Sequence, residues 1–518
     1  MAVMIAAVSL ICFSCDAKPD NETNVNETES PAEKPEDCDT YGYILDTEGN
    51  PVAGITVSDG FTCTQTDKEG MFKFYRNPEA NFINYSIPSN FEVNISNEGI
   101  PDFYLRLEES KHRYDFTIKK LSEPENNFKL IAIGDPQITE NAHAARFKKE
   151  AAADIKEYAI SSAGSEYGII LGDFVGNKWN LYNNIFGAVK KDQTGIISFA
   201  CIGNHDHEFP SENDKAAKKK YEDYFGPTDY SFNRGDAHIV VMDNIIHGCK
   251  ESAVYNAGLT KEQFEWLKQD LSFIPKDKLV IFCVHIPFRN GAESGGGNVN
   301  KDKYYSDILE LLSEYKNATI LSAHTHSNIN YIHKVNGKEI FEHITGTTCG
   351  AWWNSTVCTE GTPIGYGIYS IQDNSMEKWI YKSVKHDEDF QIRLYRGTDT
   401  FTGGGQGKRQ FSKSDTGQIV ANIWNWDKDW KVEVFEDGIL SGEMINYKDI
   451  DAWTVAYHID IAGMGSSAQK DTDHLFYYTL KNPDAKIKVR ATDRFGNTYE
   501  QETFTDPDSN PAIFHANF

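Results

Sequence analysis

Five short apolar runs recur in the middle of this chain: Leu130 to Ile133, Ile169 to Leu171, Ile196 to Ile202, Leu279 to Val284 and Thr319 to Leu321. Runs of this length, apolar at consecutive positions, predict strands covered on both faces. Each is followed at once by a polar cluster: Asp135-Pro136-Gln137, Gly172-Asp173, Gly203-Asn204-His205-Asp206, His285 and His324-Thr325-His326. Ligands of open α/β sheets bind at the carboxyl ends of the strands, so these clusters are expected along one edge. An edge holding Asp, Gln, Asp, Asn and three His suits hard or borderline divalent metals, and is large enough for two.

Helical patterns alternate with these runs. Ala142 to Ala163 has helical character, Ser211 and Asp214 precede a Lys-rich helix, Thr260 and Gln263 form a capping box, and Tyr304 to Tyr315 puts Ile308, Leu311 and Leu312 on one face. Residues 127–380 therefore read as a layered α/β domain. On its N-terminal side, residues 39–122 read as β: strands are expected at 41–45, 55–57, 72–74, 91–95 and 114–118, separated by turns such as Asp46 to Pro51. The phrases Gly49 to Val57 and Thr66 to Phe72 resemble a prealbumin-like β-sandwich, which implies a spacer or packing domain. On the C-terminal side, residues 385–518 read as a second β domain, with strands expected at 419–426, 430–435, 454–461, 475–480 and 487–491.

Composition sharpens this at a few points. Asp and Glu outnumber Lys and Arg by 77 to 51, a net charge of −26, which disfavours nucleic acid or an anionic membrane surface as a partner. Phosphorylated substrates stay open, because bound cations reverse the local sign. Residues 1–15 form an apolar segment too short to span a membrane and of the length of a secretory h-region. Cys12-Phe-Ser-Cys15 resembles a bacterial lipobox, which implies lipid attachment at Cys15 and a place in the cell envelope, periplasmic or outer-membrane. No Lys or Arg precedes the apolar stretch, a departure from the usual leader. Residues 16–38, rich in Asn, Glu, Pro and Thr, read as a disordered acidic linker. Nine cysteines in so long a chain are not a disulfide scaffold. Cys38 with Cys63, and Cys349 with Cys358, are pairings left open.

Taken in order, the five clusters resemble the motif series of the calcineurin-like metallophosphoesterase superfamily: Asp-x-His, Gly-Asp, Gly-Asn-His-Asp/Glu, a lone His, then Gly-His-x-His. The flanking β domains resemble those of an exported bacterial branch. The resemblance implies a β-sandwich core with flanking helices and hydrolysis of phosphate mono- or diesters at a dinuclear metal centre. It implies that Asp135, Gln137 and His326 hold one metal, that Asn204, His285 and His324 hold the other, and that Asp173 bridges them. It makes His205 the general acid that also stabilises the transition state, and Asp206 the carboxylate that orients His205. Gln137 stands where the family usually has His; an amide oxygen is a harder ligand, favouring Mn²⁺ or Mg²⁺ over Zn²⁺ or Fe. Ala323 replaces the Gly before His324.

The substrate side is less defined. Trp352 and Trp353 follow the last cluster in a Gly-rich loop, where one ring could stack on a sugar or base. Arg289, Tyr366 and His207 are candidates for the pocket rim, and Gly291 to Gly297 for a lid. Trp424, Trp426 and Trp430 read as core of the C-terminal domain. The substrate is expected to be a small-molecule or glycan-linked phosphate ester. Two other readings remain: a pyrophosphate-bond hydrolase acting on nucleotide-sugar-like molecules, and a non-catalytic surface protein that binds phosphorylated glycans.

Overall fold

The computed structural model describes residues 35–162, 164–248, 255–288, 298–299, 304–465 and 469–510. Cys15, Arg289 and the Gly291 to Gly297 segment lie outside the described residues. No described helix is long and apolar enough to cross a membrane.

The central part is two facing mixed sheets wrapped by helices. We number its main strands β1 (Asn127–Ile133), β2 (Glu166–Leu171), β3 (Ile197–Cys201), β4 (Tyr230–Arg234), β5 (Ala237–Val241), β6 (Leu279–Cys283), β7 (Asn317–Ser322), β8 (Ile329–Val335), β9 (Lys338–Ile344), β10 (Gly365–Gln372) and β11 (Ser375–Ser383). One sheet has the order β3-β2-β1-β10-β11, the other β4-β5-β6-β7-β9-β8. Within them β1, β2 and β3 run parallel, as do β5, β6, β7 and β9. The five polar clusters thus do not share one sheet edge. Three follow β1, β2 and β3, two follow β6 and β7, and the centre forms where the two sheets' carboxyl edges meet.

The unbroken apolar runs follow from burial on both faces. Leu130, Ala132, Ile169, Leu171, Phe199 and Cys201 meet Ile239, Val241, Ile281, Cys283 and Leu321 between the sheets. The alternate residues Ile131, Ile133 and Ile170 face Phe147, Ile155, Ile185 and Val189 of one helical layer. Val280, Phe282 and Ile320 face Trp266, Leu267, Ile308 and Leu312 of the other. Period-two alternation is therefore apolar on both phases.

The helices match the expected pattern with local corrections. Asn141–Phe147 and Ala153–Ser161 are joined by a π-helical segment, Lys148–Ala152. The Thr260 capping box opens Lys261–Ser272, with each partner's backbone N–H donating to the other's side chain. The Lys-rich helix Asp214–Phe225 is capped by Asn213, which accepts from Ala216, and not by Ser211.

Both flanking domains are β. The N-terminal one pairs Thr40–Asp46 with Met71–Phe74 and Phe116–Ile118, beside a sheet of Cys63–Gln65, Thr56–Ser58, Phe82–Tyr85 and Tyr104–Arg106. The expected strand at 91–95 is only a loop touched by isolated bridges at Phe91 and Ile95. The C-terminal domain has two four-stranded sheets. Its expected strand at 454–461 is helical instead, Ala452–Val455 continuing as Ala456–Ile461. The β-branched residues there suggest a strand, but Asp451 accepts from the Thr454 N–H and caps a helix start. Trp424 is fully buried, Trp426 packs on Phe476 and Trp430 stacks on Tyr499, so all three serve the domain core and its packing. The six described cysteines are all free thiols, so neither open pairing is made.

Candidate metal centre

The site begins with two glycines. Gly172 has φ 93°, and a Cβ on it would lie 2.6 Å from His285 Nδ1 and 2.8 Å from Gly203. A Cβ on Gly203 would lie 2.2 Å from the Asp173 backbone nitrogen. The ends of β2 and β3 therefore touch through bare backbone, which lets the side chains after them converge. Ala323 keeps an ordinary negative φ, so no glycine is needed there.

Beyond the strand ends the backbone is strained. Asp135, Gln137, Asp173, Asn177, His324, His326, Trp352 and Trp353 all have positive φ, between 37° and 69°. They account for most of the described non-glycine residues in that region, and strain of this kind concentrates where function over-determines geometry.

All seven predicted ligands come together. Gln137 Nε2 lies 3.3 Å from Asp173 Oδ2, and His285 Nε2 lies 3.4 Å from the same oxygen. His285 Nε2 is 3.0 Å from Asn204 Oδ1 and 3.2 Å from His324 Nδ1. The His324 backbone N–H donates to Asp135 Oδ2, and Asp135 Oδ1 lies 3.7 Å from His326 Nε2. The Leu171 carbonyl accepts from His285 Nδ1, which turns Nε2 inward toward Asn204 and Asp173. Tyr255 Oη lies 3.5 Å from His324 Nε2, on the far side of that ring.

This donor set fits cations. Acceptor atoms of Asp173, His285 and His324 lie within 4.8 Å of one another. Asp135 Oδ1 and Gln137 Oε1 are buried without a hydrogen-bond partner. Gln137 and His285 both approach Asp173 Oδ2, while Asp135 lies against His324 and His326, so one cluster contains all seven side chains. Burial pushes the Asp135 carboxyl up to about 8. It also pushes Asp206 up to about 7, with the charge of Asp173 adding to the effect. Burial opposes a charge on Asp173 too, but the His285 and His205 imidazoles outweigh it and hold that carboxyl below the usual range. Burial takes His326 down to about 3, a neutral imidazole suited to ligation.

His205 is half-buried at the mouth. Its backbone N–H donates to Asp173 Oδ1, and its Nδ1 lies 2.8 Å from Asn177 Oδ1. The ring's orienting partner is thus Asn177, not Asp206. Asp206 turns inward and accepts from the backbone of Gly203, Phe174 and Val175 and from the Tyr182 hydroxyl. It ties the ends of β2 and β3 together because its side chain points into the loop beneath the histidine.

Other expected rim residues separate by burial. His207 is fully buried, bonded to the Gly203 carbonyl and 3.4 Å from Asp243. Tyr366 faces the helical layer and donates to Asp154, so it is core. Trp353 is buried; its indole N–H donates to the Pro136 carbonyl, its ring stacks on His143, and Arg146 lies over it at 4.8 Å. Of the described rim residues only Trp352 stays open, 38% exposed, with its ring 4.9 Å from that of His326. Trp353→Ala is expected to cost about 3–5 kcal/mol of unfolding free energy. Trp352→Ala should leave stability within about 0.5 kcal/mol and alter KM; denaturant titration of both variants checks the division.

Glu360, beneath the His-x-His turn, accepts from the Asn328 N–H and is fully buried, and burial pushes its carboxyl up to about 7 from 4.5. A raised folded-state value means stability is greatest below 4.5 and is lost as pH rises through 7. The stability advantage of Glu360→Gln over the native chain should therefore grow by about 3 kcal/mol between pH 4.5 and pH 8. A constant difference across that window would contradict this.

Three family descriptions match in chain order: "N terminal of Calcineurin-like phosphoesterase" over residues 40–121, "Calcineurin-like phosphoesterase" over 128–328 and "C terminal of Calcineurin-like phosphoesterase" over 342–499. No curated protein matches the chain. Among solved structures, a purple acid phosphatase from yellow lupin (Lupinus luteus) is 12% identical, covering 64% of this chain and 67% of its own, at a TM-score of 0.37. A 5'-nucleotidase precursor from Thermus thermophilus is 10% identical, covering 72% and 88%, at 0.30. Phosphopantetheinyl hydrolase from Mycobacterium tuberculosis is 12% identical, covering 43% and 91%, at 0.25. These likenesses are remote, and the assignment rests on the three family matches, which together take in most of the chain. The chain belongs to the calcineurin-like phosphoesterases, and is a metallophosphoesterase whose catalytic domain sits between N- and C-terminal β domains.

Proposed function

We propose that this protein hydrolyses phosphate mono- or diesters of small molecules or glycans, using two divalent cations, Mn²⁺ or Mg²⁺ before Zn²⁺ or Fe. The observation that carries this reading is the seven-residue acceptor cluster around Asp173, with the unpartnered Asp135 and Gln137 oxygens inside it. Asp135, Gln137, Asp173 and His326 would hold one cation, and Asp173, Asn204, His285 and His324 the other. Bound there, the pair supplies Lewis acidity toward the phosphoryl group and a water-derived nucleophile at neutral pH. His205, aimed by Asn177, would hold a proton at Nε2 for the leaving oxygen. Gln137 in place of a histidine supports the harder cations.

The test is turnover of p-nitrophenyl phosphate and bis-p-nitrophenyl phosphate by metal-stripped protein, with each cation restored separately. Metal-dependent release of nitrophenolate is expected, greatest with Mn²⁺ or Mg²⁺. No release with any cation would overturn the reading for simple esters. The exposed ring of Trp352 beside His326 favours one further reading, cleavage of a pyrophosphate bond in a substrate with a flat base. A nucleoside diphosphate sugar cleaved faster than either aryl ester would favour it.

We also propose export with lipid attachment at Cys15, which would tether the enzyme to the cell envelope. The support is the apolar segment and the lipobox-like Cys12-Phe-Ser-Cys15. Metabolic labelling with a fatty acid, lost in Cys15→Ala, checks it.

A further inference from the structure

The C-terminal domain sends one cation to the metal centre. Lys470 immediately precedes the strand Asp471–Thr479, and its Nζ donates to the Thr325 carbonyl at 2.9 Å. Thr325 is the residue between the ligands His324 and His326. The ammonium is mostly buried, and its charge acts on His326, on Asp135 and on Glu360. Among the described residues it makes that one hydrogen bond and no ion pair, and an ammonium has three hydrogens to give.

A buried ammonium without a carboxylate partner is costly. Holding the Thr325 carbonyl does not require it, because any neutral donor would serve. What a lysine adds is charge, placed beside the turn that carries two ligands, in a chain whose net charge of −26 otherwise repels anions. The same domain is fastened to the catalytic domain just past that turn: the Asn328 amide donates to the Trp424 carbonyl and the Asn330 amide to the Asn425 carbonyl. Lys470 is therefore held by a docked surface and not by a free loop tip.

We propose that Lys470 binds a non-bridging oxygen of the substrate phosphoryl group and selects phosphate monoesters over diesters. The selection follows from charge. A monoester carries about −1.5 to −2 near pH 7 and has three terminal oxygens, whereas a diester carries a single negative charge. An added cation at a largely desolvated site therefore favours the monoester. This rests on the phosphoesterase reading above, and it makes the C-terminal domain part of the active site.

The experiment compares the full-length protein with Lys470→Met and Lys470→Arg. The kcat/KM of a monoester and of a diester is measured alongside binding of inorganic phosphate to the Mn²⁺-loaded proteins by calorimetry. In Lys470→Met, monoester kcat/KM and phosphate affinity should each fall about 10- to 100-fold, diester kcat/KM should fall less than about threefold, and the thermal midpoint should hold or rise as a buried charge is removed. Lys470→Arg should recover most of the phosphate affinity. Equal losses on both esters, or unchanged phosphate affinity, would overturn the proposal. So would a lowered midpoint with unchanged phosphate affinity, which would mark Lys470 as a pin for the turn. If the native protein hydrolyses neither ester, the phosphoesterase reading fails, and the phosphate titration still decides what Lys470 does.

Discussion

Asp173→Asn is expected to lower turnover by at least about a thousandfold and to leave the purified protein short of one or both cations. Asp173 is 1% exposed; one oxygen accepts from the His205 backbone, and the other lies within 3.4 Å of both Gln137 and His285. Asparagine has the same shape and is among the residues that tolerate the positive φ of 53° found there, so the fold should survive. What is lost is a negative charge at the residue that would bridge the two cations. A neutral amide cannot offset two dications, and several kcal/mol of charge stabilisation corresponds to about three powers of ten in rate. Metal analysis after desalting, with kcat/KM on one ester, checks this. A variant that keeps two cations and stays within tenfold of the native rate would show that Asp173 is not the shared ligand.

The seven clustered residues were legible because each follows an apolar run, and both faces of those strands are buried. An unbroken run ending in Asp, Asn or His leaves few structural uses for the polar residue. The division into two sheets was less legible, since periodicity reports that a strand is covered and not by which partner. Asn177 and Tyr255 lie four residues or more in sequence from any of the clustered seven, and their contacts with His205 and His324 arise from loop closure in space. A positive-φ asparagine after Gly172-Asp173 is a signal only once the backbone is seen. Lys470 comes from another domain altogether, 144 residues beyond His326. Tyr366 and His207 show the opposite error: polar-tipped residues near the motifs that prove to face buried partners, Asp154 and Asp243. At 454–461 local β propensity lost to a capping aspartate and to the apolar packing of Val455 and Ala456.

His205→Ala should separate substrates by leaving group. Asn177 Oδ1 accepts from the ring at Nδ1, which leaves Nε2 as the atom able to give a proton. If that proton goes to the departing oxygen, an alkyl phosphate, whose alkoxide cannot leave unprotonated, should lose about 10²–10⁴ in kcat. p-Nitrophenyl phosphate, whose phenolate leaves without help, should lose less than about tenfold for that role, with any larger loss measuring how far the same ring stabilises the phosphoryl charge. A plot of rate against leaving-group pKa should therefore be shallow for the native enzyme and steep for the variant. Asn177→Ala should move in the same direction by a smaller factor, because the ring remains but is no longer aimed. Parallel slopes would assign His205 to charge stabilisation alone. The pairing with Asn177 bears on this directly. A neutral amide in that place fixes the orientation of the ring and adds no charge beside it. The inward turn of Asp206 keeps that arrangement, since its charge is spent on the backbone of Gly203, Phe174 and Val175.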